Sequence, residues 1–163
     1  MSESWTNLVQ IAAGGAWRPP TYTIDGDSVM TVHYLANSTS ALYWSQGIMN
    51  WCMAKAGWPW SMLNDGATSG HTSAQILAGI GTDVLRYKPG YALYNGGWND
   101  IANGVQQELI VQNLQQYARI CLDNGIVPIY IGLHANSAYS TFGAKNYINF
   151  INQSMRTFMQ QNG

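Results

Sequence analysis

Short apolar runs and amphipathic stretches take turns along this chain, and that alternation limits its fold more than any single residue does. Thr21 to Ile24 alternates in a β-friendly way and runs into the turn residues Asp25-Gly26-Asp27-Ser28. Trp60 to Leu63 reads as a second strand, stopped by Asn64-Asp65-Gly66, and Tyr91 to Tyr94 as a third, ending in Asn95-Gly96-Gly97. Ile126 to Leu133 is nearly all apolar, as expected of a strand buried on both faces. Between and after these runs the spacing turns helical over 41–56, 72–86, 105–123 and 143–160. The apolar faces are set by residues such as Ile48 and Cys52, Ile76 and Ile80, Leu114 and Ala118, and Ile151 and Met155. Strands alternating with helices predict a parallel sheet with helices on both faces. In such folds the working groups gather where the strands end at their carboxyl edge.

The 163 residues suit one domain, predicted over 21–163 after an irregular segment, 1–20, that carries the breakers Gly14-Gly15 and Pro19-Pro20. Apolar residues make up 47% of the chain, enough for a proper core. Charged residues make up only 9%, so copies repel one another weakly and self-association is an open possibility. The net charge of −1 is scattered, which argues against nucleic acid or an anionic membrane as partner. No basic-led leader is visible, and no apolar run approaches the ~18 residues of a membrane span, so the chain reads as soluble with its compartment open. Cys52 and Cys121 fall in helical stretches and read as buried free thiols. No zinc-type spacing and no glycine-rich phosphate loop is present, so neither metal nor organic cofactor is implied.

Three of the predicted strand-end loops carry chemistry. The first holds Ser28, whose hydroxyl can point up from the sheet into a cleft, although Gly-Asp-Ser is also ordinary turn composition. The second runs from Asn64 to Ser73 and holds Gly70, which can offer a free backbone N–H at the mouth of a helix that Thr72 or Ser73 would cap. The third holds Asn99, a neutral amide donor able to stabilise an oxyanion without burying a charge. One nucleophile and two donors on one sheet edge are what acyl-ester chemistry needs.

Here the sequence resembles the SGNH hydrolases, also called GDSL esterases. Their blocks match Gly26-Asp27-Ser28, the stretch Asn64 to Thr72 centred on Gly70, and Gly97-Trp98-Asn99-Asp100, in that order, within a resemblance covering about residues 21 to 160. The resemblance implies a three-layer α/β/α, flavodoxin-like fold. It also implies that Ser28 attacks the ester carbonyl and that the Ser28 and Gly70 N–H groups and the Asn99 amide bind the oxyanion. Asp27 and Asp100 would orient their loops.

The sequence departs from the family at its C-terminal block. No Asp-x-x-His occurs in the 163 residues; the last Asp is Asp123 and the last His is His134. The last strand of the family sheet and the catalytic His are therefore expected to be missing from this chain, which reads as a fragment or as a split protein whose Asp-His segment is supplied in trans, ahead of a member that has lost catalysis. Within the chain, His134, His71 and His33 are the alternative proton acceptors. Trp98 is the candidate for lining a substrate cleft. The expected substrate is a small-molecule or glycan ester, an acetyl ester on carbohydrate first. The rival reading is an inactive binding or structural domain of the same fold, of a secreted or virion surface protein.

Overall fold

The computed structural model of the chain describes residues 20–30, 60–134 and 142–162. All but residue 20 of the irregular segment expected over 1–20, the helix expected over 41–56, Cys52 and His33 lie outside the described residues. Among the described residues four strands form a sheet: β1 (Thr21–Asp25), β2 (Ser61–Asp65), β3 (Tyr91–Tyr94) and β4 (Val127–Tyr130). Their order is β2-β1-β3-β4, and every neighbouring pair is parallel. The helices are α1 (Ser73–Asp83), the short α2 (Trp98–Ala102), α3 (Gln107–Asp123) and α4 (Phe142–Asn162), with a 3₁₀ turn at Leu85–Tyr87.

The period-2 pattern of the strands divides the interior into two cores. Ala92 and Tyr94 of β3 face α1, α3 and α4, which contribute Ile76 and Ile80, Leu114 and Cys121, and Ile151 and Met155. Tyr22 and Ile24 of β1 face the other way with Tyr91 and Leu93 of β3, joined by Trp60, Met62 and Ile129. Tyr22, Ile24 and Leu93 are buried, so the sheet is an internal layer of an α/β fold. Trp60 lies flat on Tyr91, ring centroids 4.2 Å apart, which closes that core at the entrance of the sheet. Cys121 is a buried free thiol, its pKa pushed up to about 12 chiefly by burial and further by Asp25. Among the described residues no helix is long and apolar enough to cross a membrane.

Three expectations change. The strand expected over Ile126 to Leu133 is the four-residue β4, because its partner β3 ends at the turn Asn95-Gly96-Gly97 and leaves nothing further to pair with. The flanking Ile126 and Leu133 are still buried, so the apolar run reports core packing beyond the ladder. Nor is β4 buried throughout: it lies at the end of the strand order, and only Pro128 of its four residues is fully covered. Asn99 and Asp100, expected in a loop, belong to α2.

Candidate active site

The order β2-β1-β3-β4 places the chain reversal between β1 and β3, where parallel α/β sheets open a crevice at their carboxyl edge. The turn after β1 opens into that crevice and is set by its own acids. Asp25 Oδ1 accepts the Gly26 N–H at 2.7 Å, Asp27 Oδ1 accepts the Val29 N–H at 2.9 Å, and the Asp27 carbonyl accepts the Met30 N–H at 3.1 Å. Ser28 sits at the crest of this turn, half-buried. Gly26 adopts φ +141°, and a Cβ there would stand 2.7 Å from the Asn95 carbonyl oxygen. Only glycine lets the β1 turn lie this close to the end of β3.

A run of hydrogen bonds leads from this turn to the other two candidate residues. The Thr68 N–H donates to the Gly26 carbonyl at 2.9 Å, and the His71 N–H donates to the Thr68 carbonyl at 3.2 Å, closing a turn through Ser69 and Gly70. Asn99 Nδ2 then donates to the His71 carbonyl at 2.8 Å. Gly70, at the crest of the middle turn, is exposed, with φ +86° and no atom within 4 Å of where a Cβ would sit. Ser28 and Gly70 on two loops and Asn99 in the first turn of α2 therefore lie at one sheet edge, tied by three successive bonds.

Buried acids brace the loops from below. Asp100 accepts the Ser73 N–H and the Ser73 hydroxyl, both at 2.7 Å, and Asn113 Nδ2 donates to the same hydroxyl at 3.0 Å. Asp100 thus puts a carboxylate on the first turn of α1, where the helix dipole favours negative charge. At the start of that helix, Gln75 Oε1 accepts both the Thr72 N–H at 2.9 Å and the Thr72 hydroxyl at 3.1 Å. Burial raises the Asp27 pKa, the Val29 N–H lowers it, Asp100 raises it, and His134 lowers it again. Asp27 Oδ2 is buried without a hydrogen-bond partner among the described residues.

His134 thus acts electrostatically on the Asp27 carboxyl of the Ser28 turn. Its ring is exposed and meets the edge of Trp98, centroids 5.7 Å apart. The preceding residue is fixed: Asn152 of α4 accepts the Leu133 N–H at 2.8 Å and donates to the Leu133 carbonyl at 2.7 Å. His71 is half-buried, and it is its backbone that serves the loop network.

Trp98 is corrected. It is 5% exposed and packs in the core with Ile110, Leu133 and Ile151, so its indole is interior structure and lines no open cleft. Sequence reasoning passed over Asn95 and Asp25. Asn95 Nδ2 donates to the Ile131 carbonyl at 2.6 Å and its N–H to the Asp25 carbonyl at 3.3 Å, tying the ends of β1, β3 and β4 together. The available signal for Asp25 was an acid on the alternation of β1 at a position facing the helices. Among the described residues no three His, Cys, Asp or Glu side chains converge to hold a metal ion.

No family model matches the chain, and no curated protein matches it. Solved structures do. TesA is 23% identical with a TM-score of 0.66, over 87% of this chain and 74% of that one. A GDSL-like lipase from Bacteroides thetaiotaomicron is 16% identical with a TM-score of 0.63, over 98% of this chain and 74% of that one. An acetyl-xylooligosaccharide esterase from Geobacillus is 12% identical with a TM-score of 0.68, over 87% of this chain and 72% of that one. What the chain shares with these proteins is their fold, an α/β architecture on a parallel sheet.

Proposed function

We propose that this chain is a serine esterase of the SGNH type, with Ser28 as nucleophile. The observation that carries the reading is the run of hydrogen bonds that ties the Ser28 turn to Gly70 and Asn99 at the crevice between β1 and β3. The Ser28 oxygen adds to the ester carbonyl, and the carbonyl π pair moves onto oxygen. The Ser28 and Gly70 N–H groups and the Asn99 amide receive that charge. Asn99 spends one Nδ2 hydrogen on the His71 carbonyl, which fixes the plane of the amide, and offers the other to the oxyanion. Collapse breaks the bond to the leaving alcohol, which takes up the proton Ser28 gave away. Water then repeats the sequence on the acyl-enzyme.

That proton needs an acceptor. The 163 residues hold no Asp-x-x-His, so either a histidine among them or an Asp-His segment outside them must take it. Of the two described histidines, His71 and His134, it is His134 that acts on Asp27 of the Ser28 turn, which makes it the internal candidate. The fold shared with an acetyl-xylooligosaccharide esterase supports an acetyl ester on carbohydrate as substrate. The second reading, a non-catalytic binding domain of the same fold, is favoured by the absent Asp-x-x-His alone.

The test is reaction of the purified chain with a fluorophosphonate. Labelling is expected at Ser28 and is lost in Ser28→Ala. With His134 as base, His134→Ala slows labelling roughly 100-fold or more, as loss of a general base does. Labelling that ignores His134→Ala points to His71 or to a base from a second chain. Folded protein that never labels, with or without an added Asp-His segment, leaves the binding domain.

A further inference from the structure

Beneath the Ser28 turn, on the sheet face that meets α1 and α3, lies a group of buried polar atoms the proposed reaction does not use. Thr23 and Asp25 stand two residues apart on β1 and point to the same face. Thr23 is 0% exposed, and Asp25 and Tyr117 are each 1% exposed. Thr23 Oγ1, Asp25 Oδ2 and the Tyr117 hydroxyl have no hydrogen-bond partner among the described residues. Proteins rarely leave even one such atom unsatisfied, so three around one carboxyl group call for a role.

The groups facing Asp25 are Tyr117 and Cys121 from α3, Asp83 from α1, Asp65 at the end of β2 and Tyr94 opposite it on β3. None of them is a cation. Burial, with Asp83 and Asp65 adding to it, pushes the Asp25 acid up to about 7 against the opposing pull of the Tyr117 hydroxyl and the Gly26 N–H. The Tyr117 hydroxyl lies close enough to lower the acid, without the geometry of a full hydrogen bond to it. Asp25 is also bonded directly to the turn: Oδ1 accepts the Gly26 N–H, and its carbonyl accepts the Asn95 N–H.

We propose that Asp25, with Thr23 and Tyr117, is a buried positioning site for the Ser28 turn, whose geometry follows the charge on Asp25. Uncharged, the acid leaves the turn as described. On releasing its proton to solvent it draws harder on the Gly26 N–H and the Tyr117 hydroxyl, and the turn shifts. The effect on activity rests on the esterase reading; the effect on the turn does not.

The linkage has a definite sign. The folded chain holds this proton more tightly than the unfolded chain, whose acid titrates near the ordinary 3.8. Stability is therefore full below about pH 4, is lost as pH rises toward about 7, and levels off above that. The urea midpoint should fall across that window in the wild type and lose that fall in Asp25→Asn.

The deciding experiment is an NMR titration of the full chain through neutral pH. The Gly26 and Ser28 amide signals should step with a midpoint of about 7. Asp25→Asn should abolish the step. Tyr117→Phe, which removes a group that lowers the acid, should move the midpoint upward. Fluorophosphonate labelling of Ser28, followed over the same range, should change with the same midpoint in the wild type and not in Asp25→Asn. No amide step, a step that survives Asp25→Asn, or a midpoint unmoved by Tyr117→Phe overturns the proposal. An intact amide step without labelling at any pH overturns the esterase reading instead and leaves the positioning site standing.

Discussion

Asn99→Ala is expected to slow ester hydrolysis, or Ser28 labelling, roughly 100- to 1,000-fold, the usual effect of deleting one side-chain donor to an oxyanion. The loss should fall on kcat, because the donor meets full negative charge only in the transition state. Stability should change little. Asn99 is only half-buried, and the bond it gives up, to the His71 carbonyl, is one hydrogen bond of about 1 kcal/mol. Asn99→Asp is the sharper control, since it keeps the shape and replaces the donor with a like charge facing the oxyanion. A hydrolysis rate within about threefold of wild type in Asn99→Ala would remove the amide from the chemistry and leave it a loop brace.

Gly26→Ala is expected to cost about 3 kcal/mol or more, from backbone strain at positive φ together with a clash that must be relieved. The added methyl would stand 2.7 Å from the Asn95 carbonyl oxygen, a backbone atom at the end of β3 that cannot swing aside. For a chain of this size the melting temperature should drop by roughly 10 °C. Gly70→Ala separates the two causes. Gly70 also has a positive φ, +86°, but nothing lies within 4 Å of its new methyl, so only the strain of about 1–2 kcal/mol remains. Equal losses in urea unfolding would mean that the approach of β1 to Asn95 is softer than the geometry indicates.

The alternation of strands and helices was legible in the sequence because each element carries its own period. β1, β3 and α4 lie within two residues of where the pattern put them. The placing of the three candidate segments was legible for the same reason: each follows a strand, and parallel sheets collect such segments at one edge, although the third turned out to be the helix α2. What the pattern could not show is what depends on a neighbour. β4 is four residues long because β3 is, and an apolar run cannot report the length of its partner. Trp98 stands in a turn-like sequence, yet it is buried in a core cluster that includes Ile148 and Ile151, some fifty residues further along the chain. Asp25 falls where alternation gives a strand its polar face, and that face is covered by α3. A polar residue on an alternating strand reads as solvent-facing only when nothing packs above it.

Pro128 gives the outer edge of β4, which no described strand pairs, a particular character. The Val127 and Ile131 N–H groups donate to the Gly90 and Tyr94 carbonyls on the β3 side. By the alternation of a strand, residues 128 and 130 turn their backbone nitrogens the other way. At 128 that nitrogen belongs to a proline and has no hydrogen to give. An arriving strand finds carbonyl acceptors along this edge but, within β4, a single N–H donor, that of Tyr130. Unguarded edges recruit strands from other molecules and seed aggregates, and a proline is one of the devices that blunts them. Any strand that adds beside β4 must therefore be held chiefly by its side chains.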